Sequence, residues 1–86
     1  MIEINEEQKK NLAETNTNLL AKLDEAIKLI EESQNIINNC GVNSYYTTSI
    51  DSRLQTCKEY AYMAKIRTSE FSEEVKTGRL LDQGFF

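Results

Sequence analysis

The chain has 86 residues with 14 acidic and 10 basic side chains, which gives a net charge of −4, and it contains no histidine and no proline. A chain of this length holds one domain at most. Lys and Arg are not clustered, which disfavours direct binding to DNA or RNA. With 40% hydrophobic and 28% charged residues, the composition favours long helices over a loop-rich or disordered chain.

The N-terminus reads MIEINEEQKK and lacks the basic and apolar regions of a secretory signal. No apolar run in the sequence is long enough to cross a membrane. We therefore expect a cytoplasmic protein that makes no contact with a membrane.

The first predicted helix runs from residue 5 to about residue 40. Asn5 can cap it, and Glu6 and Glu7 suit the positive end of the helix dipole. We expect the helix to stop at Cys40, because Gly41 is the residue type that adopts the left-handed conformation at a helix end. Apolar residues recur at helical spacing and predict a core face. They are Leu19, Leu20, Leu23, Ala26, Ile27, Ile30 and Ile37.

The second predicted helix runs from residue 48 to residue 77, with Thr48 or Ser49 as its cap and Gly78 at its end. Its apolar seam alternates in steps of four and three, which is typical of helices packed at a shallow angle. The seam residues are Ile50, Leu54, Cys57, Ala61, Ala64, Thr68, Phe71 and Val75.

The fold class predicted is all-α, a single domain built as an antiparallel two-helix hairpin. A connection of six or seven residues, 41–47, forces the two long helices to run antiparallel. Residues 78–86 form a short C-terminal tail. We expect Cys57 to be a small core residue and Cys40 a free thiol near the turn, too far out of register to form a disulfide.

Two adjacent tyrosines in the turn, Tyr45 and Tyr46, have two possible roles. They can cover the end of the core, or they can present an amphipathic aromatic tip to a partner.

The sequence offers no candidate catalytic residue, cofactor site or metal site. Two cysteines without a histidine cannot make a four-ligand zinc site, and no glycine-rich phosphate loop is present. Carboxylates on exposed helices are ordinary solvated charges unless a concave, partly dry pocket surrounds them. We therefore expect a protein that is not an enzyme.

Apolar residues outside the two seams are the informative feature of this sequence. Such a surface needs a cover, which can be a second copy completing a four-helix bundle, the tail folding back, or a different protein. Self-association, with a dimer favoured, is expected over a stable monomer. The predicted partner-binding residues are Tyr45, Tyr46, Tyr62, Met63, Ile66, Leu29, Ile36, Phe85 and Phe86.

The leading functional hypothesis is a small acidic binding protein, such as an inhibitor, immunity factor or chaperone-like adaptor, that lays a helical face against a protein target. In length and two-helix layout the chain also resembles the secreted WXG100-type hairpins, although only in architecture. Its turn reads NSYYTTS without a tryptophan, and Phe71 is followed four residues later by Val75 rather than by an acid. That resemblance implies the alternative, a structural or secreted hairpin that pairs with itself or with a related hairpin.

Overall fold

In a computed structural model, which describes residues 1–82, the chain forms two long helices that lie side by side. Helix α1 spans Glu6–Asn38 and helix α2 spans Tyr45–Thr77, and two short strands, β1 at Ile2–Glu3 and β2 at Arg79–Leu80, pair at the open end. The molecule measures 55 × 24 × 12 Å. The predicted all-α antiparallel hairpin with a short tail is confirmed.

Helix α1 starts where the sequence predicts but ends earlier. The side chain of Asn5 accepts a hydrogen bond from the Gln8 backbone at 2.8 Å, and the Gln8 side chain accepts one from the Asn5 backbone at 2.9 Å. The last helical backbone bond runs from the Asn39 N–H to the Asn35 carbonyl. The helix therefore stops at Asn38 rather than at Cys40, and the left-handed glycine, with φ +80°, lies two residues beyond its cap.

Helix α2 begins three residues before the predicted start at Thr48. The Thr47 N–H donates to Ser44 Oγ at 3.3 Å, and the Ser44 N–H donates to Thr47 Oγ1 at 2.9 Å. This reciprocal cap satisfies two backbone donors that would otherwise lack a partner. Tyr45 and Tyr46 consequently belong to the first turn of the helix and not to the connection. The helix ends, as predicted, at Gly78.

The core between the helices is thin. Only two apolar side chains among residues 1–82 are more than nine-tenths buried, Ile27 at 5% exposure and Val75 at 3%. Most other predicted seam residues are half-buried. They are Leu20, Leu23, Ala26, Ile30 and Ile37 on α1, and Leu54, Ala61, Ala64 and Phe71 on α2.

Three predicted seam residues, Leu19, Ile50 and Cys57, are exposed, so their assignment to the core is wrong. The predicted row of Leu54, Ala61, Thr68 and Val75 is shielded along the whole of α2 and keeps its seven-residue spacing. The second predicted row is shielded only toward the open end, at Ala64 and Phe71. Near the turn, Asp51 and Lys58 are shielded instead, and they lie on the other side of the first row, so Ile50 and Cys57 face solvent.

The two ends of the chain are joined by a small β-ribbon that the sequence analysis did not predict. Ile2 pairs with Leu80, and the Ile4 N–H donates to the Gly78 carbonyl at 3.0 Å. The N-terminal ammonium forms an ion pair with Asp82 at 3.1 Å. Phe85 and Phe86, two of the predicted partner-binding residues, lie outside the described residues.

Candidate interaction surface

Three side-chain pairs join α1 directly to α2 within the described part of the chain and fix their register. They are Asp24–Lys65, Gln34–Gln55 and Asn38–Asp51. In each pair the two residue numbers add up to 89. A residue on α1 therefore lies level with the residue on α2 whose number is 89 minus its own. Leu29 is therefore level with Tyr60, and Ile36 is level with Arg53.

The hairpin has two flat faces, and all three pairs lie toward the same one. Both helices are right-handed but run in opposite directions, so, viewed along α1, successive residues rotate clockwise on one helix and anticlockwise on the other. Each residue is rotated by about 100° from the one before it. On both helices, the residue just before an inward-facing residue therefore lies on one face of the hairpin, and the residue just after it lies on the other face. We call the side with the cross-helix pairs the bridged face and the opposite side the groove face.

The groove face carries a regular set of exposed apolar side chains. Its inner rows, nearest the line between the helices, repeat every seven residues. They are Leu19, Ala26 and Ser33 on α1, and Ile50, Cys57 and Ala64 on α2. Large apolar side chains flank these rows on the outside. They are Leu29 and Ile36 on α1, and Tyr46 and Tyr60 on α2. Because four of the six inner residues are small, the middle of this face is shallower than its flanks, although Leu19 and Ile50 are large. The row of Tyr46 and Tyr60 also carries Arg53, Arg67 and Glu74, so the face is not wholly apolar.

The large residues of the groove face are open to solvent. Leu29 is 62% exposed, Ile36 74%, Tyr46 74% and Tyr60 73%. Tyr60 was absent from the predicted partner-binding residues, although its seven-residue spacing from Arg53 and Tyr46 is visible in the sequence. The spacing alone does not identify Tyr60 as a binding residue, because the register is needed to show which α1 residues lie beside it.

Three other predicted binding residues form a separate surface, which we call the outer patch. It consists of Tyr62, Met63 and Ile66, which are 45%, 46% and 50% exposed. Tyr62 lies toward the bridged face, and Met63 and Ile66 lie on the outer side of α2, away from α1. The predicted set is therefore divided, because Leu29 and Ile36 lie on the groove face.

The outer patch lies beside the ion pair between Lys65 and Asp24. The hydrogen bond to the Asp24 carboxylate, with a smaller contribution from its negative charge, raises the pKa of Lys65 above the ordinary lysine value, against the opposing effect of desolvation. This charged pair borders Tyr62, whose phenol also favours the protonated lysine. The bridged face thus carries polar cross-helix bonds next to the outer patch.

Tyr45 and Tyr46 form an exposed aromatic tip at the start of α2. They are 79% and 74% exposed, and their rings meet edge to face with centroids 5.5 Å apart. The alternative in which they cover the end of the core is therefore wrong. From this tip an open trough of about 1040 Å³ follows the outer side of α2. Its lining includes Tyr45, Thr48, Ser49, Ser52, Arg53, Thr56 and Tyr60.

The structure locates the thiols, the possible metal ligands and the buried polar groups of the described residues. Residues 1–82 contain no group of three or more His, Cys, Asp or Glu side chains that could hold a metal ion. Cys40 and Cys57 are exposed free thiols. The one strongly buried amide, Asn16 at 2% exposure, has no hydrogen-bond partner among these residues at either side-chain atom. It lies on the inner side of α1, and the sequence pattern did not predict this position as buried because the pattern follows apolar residues only.

Neither helix is long and apolar enough to span a membrane, taking the described residues as a whole. Comparison with protein-family models, curated proteins and solved structures finds no significant match to this chain.

Proposed function

We propose that this chain is a non-enzymatic protein-binding module that acts through exposed apolar faces of its helical hairpin. The observation that carries the proposal is the imbalance in its apolar residues. Within residues 1–82 two apolar side chains are buried, whereas large apolar side chains are exposed on both flat faces and at the aromatic tip. Exposed apolar surface of this extent marks interaction sites in soluble proteins.

The chemical class of target follows from the surfaces available. Apolar residues at helical spacing match a target that offers an apolar helix or groove, because such recognition uses anchors at steps of three and four residues. Tyrosine and methionine are enriched at interfaces of this kind. An inhibitor, an immunity factor or a chaperone-like adaptor acts by such occlusion without chemistry of its own.

The outer patch is the surface that we assign to a protein target. Its three members lie within two consecutive turns of α2, and Lys65 and Asp24 beside it supply charge for orientation. A cytoplasmic location belongs to the same proposal and is supported by the two exposed free thiols, which persist in a reducing compartment.

A second candidate function is a structural hairpin that pairs with itself or with a related hairpin. The seven-residue repeat on the groove face favours it, because sustained heptad spacing is typical of helices that pack along their whole length. The two candidates use different faces and are compatible in one molecule.

The experiment is affinity purification from the native host with three forms of the chain. These are the wild type, a Tyr62→Ser/Ile66→Ser variant, and a Tyr60→Ser/Ile36→Ser variant with the same change of composition on the opposite face. We expect a protein that is retained by the wild type and by the second variant but lost by the first. Circular dichroism should show equal helicity in all three. Retention of every captured protein by the Tyr62→Ser/Ile66→Ser variant would exclude the outer patch as the target site.

A further inference from the structure

We infer that the open end of the hairpin separates and closes as a unit while the rest of the molecule stays folded, with Asn16 at the boundary. We call residues 1–16 and 72–82 the open-end segment, and residues 17–71 the turn segment. By the register, Asn16 lies level with residue 73, so this boundary crosses both helices at the same height.

The first argument is the cost of burying Asn16. Its side chain is 2% exposed, and neither Oδ1 nor Nδ2 has a hydrogen-bond partner within residues 1–82. Two shielded hydroxyls of α2 near this level are bonded within their own helix. The Thr68 hydroxyl donates to the Ala64 carbonyl at 2.7 Å, and the Ser72 hydroxyl donates to the Thr68 carbonyl at 2.9 Å. A buried amide without a partner destabilises the closed state, and water can bond it again when the helices separate.

The second argument is that the polar bonds between the helices are confined to the turn segment. The three cross-helix pairs all lie there, and within residues 1–82 no side-chain hydrogen bond or ion pair joins α1 to α2 in the open-end segment. The β-ribbon closes that end through the bond from the Ile4 N–H to the Gly78 carbonyl and the pairing of Ile2 with Leu80. Its ion pair between the N-terminal ammonium and Asp82 is exposed, and exposed ion pairs contribute little to stability.

The third argument is the distribution of shielded apolar side chains. In the open-end segment they are Ile4, Leu12, Val75 and Leu80. In the turn segment they are Leu20, Leu23, Ala26, Ile27, Ile30, Ile37, Leu54, Ala61, Ala64 and Phe71. Opening the end therefore gives up only the smaller set, whereas complete unfolding gives up both. Segments held by few buried apolar contacts open at a lower free energy than the whole protein.

Opening of this kind leaves the proposed binding surfaces folded. The outer patch and the aromatic tip both lie in the turn segment. Asn16→Leu should therefore leave the capture of a target unchanged, so failure of this inference and failure of the proposed function are distinguishable.

The test is amide hydrogen exchange, followed residue by residue by NMR on the full chain. In the wild type, the helical amides of the open-end segment should share one protection level and exchange about tenfold or more faster than residues 26–34 and 54–62, after correction for intrinsic rates. Ile30→Val should speed exchange by about twofold to tenfold in the turn segment only, because the contacts of Ile30 survive opening of the end.

Three results would overturn opening as a unit. Uniform protection along both helices in the wild type would show that exchange requires complete unfolding. Equal acceleration of all amides by Ile30→Val would show the same. Protection that falls gradually toward the chain ends would show simple fraying instead.

The role of Asn16 is tested by comparing Asn16→Leu with Asn18→Leu, which makes the same change at an exposed position of the same helix. Asn16→Leu should slow exchange in both segments by about fivefold or more relative to Asn18→Leu, because complete unfolding includes opening of the end. Exchange as fast as in Asn18→Leu, or faster, would show that the Asn16 amide is bonded in the closed protein, and would overturn its place at the boundary.

Discussion

Replacing Ile27 with alanine should be among the most destabilising single changes in this chain. Ile27 is 5% exposed and lies at the middle of the thin core. Truncation of a buried isoleucine to alanine costs about 2–5 kcal/mol, depending on how far the site collapses. Because most neighbours in the hairpin are only half-buried and can relax, we expect the lower part of this range, about 2–3 kcal/mol. For a domain of this size that corresponds to a fall in Tm of roughly 10–20 °C.

The matched control is Ile36→Ala, which removes the same atoms from a side chain that is 74% exposed. At a concentration low enough to keep the chain monomeric, its cost should stay within about 0.5 kcal/mol. Urea melts followed by circular dichroism measure both free energies, and similar m-values in the variants would show that the unfolded reference has not changed. Equal losses for the two variants under these conditions would refute the division into a core line and a groove face. If copies pair through the groove face at higher concentration, as the second candidate function holds, Ile36→Ala should become costly there as well.

Three smaller changes probe other parts of the hairpin. Asn16→Leu should raise the free energy of unfolding by about 1–3 kcal/mol, because it removes a buried amide without a partner; a loss of stability in urea melts would show that the amide is bonded in solution. Gly41→Ala and Gly78→Ala should each cost about 1–2 kcal/mol, because both positions have positive φ. The carbon added at Gly78 would lie 3.2 Å from Cε of Lys9, the flexible end of a side chain that can move aside, so the two variants should lose similar stability; a clearly larger fall in Tm for Gly78→Ala would show that this lysine cannot move. Between neutral pH and about pH 10, where a lysine side chain is ordinarily protonated, Asp24→Asn should lower Tm. The pKa of Lys65 is raised in the folded chain, so this stabilisation is complete below the ordinary lysine pKa and is lost as pH rises through the raised one. A difference that stays constant in alkaline solution would argue against the ion pair.

The parts of the fold that were predicted correctly depend on many residues each. Each helix has 33 residues, so its apolar period is sampled over about nine turns at 3.6 residues per turn. The cap at Asn5 and the stop at Gly78 were also correct, because each combines a favourable residue type with a break in the apolar pattern. Ile27 and Val75, both in the predicted seams, are the two most buried apolar side chains in the part of the chain that the structure describes.

The parts that were missed depend on one or two residues, or on the pairing of the helices. The cap at Ser44 uses a threonine hydroxyl where a carboxylate or amide is usual, so the sequence pattern favoured a helix start at Thr48 instead. Strands of two residues carry no period that a sequence can reveal. The two faces could not be distinguished in advance, because which α1 residues lie beside Tyr60 depends on the register, and the register depends on where the turn begins and ends.

Taken together, the two candidate functions predict how many targets a pair of chains would bind. If two copies meet through their groove faces, both bridged faces point outward, and the outer patch of each copy, with Tyr62 and Ile66, stays accessible on opposite sides of the bundle. Each chain should then bind one target, so that a dimer carries two targets and gains avidity for a target that is itself multivalent. Light scattering of the purified complex measures this ratio directly. The Tyr60→Ser/Ile36→Ser monomer should also bind one target per chain, and with unchanged intrinsic affinity. One target per dimer, or loss of binding by the monomer, would show that the target spans both copies and that the outer patch is only part of its site.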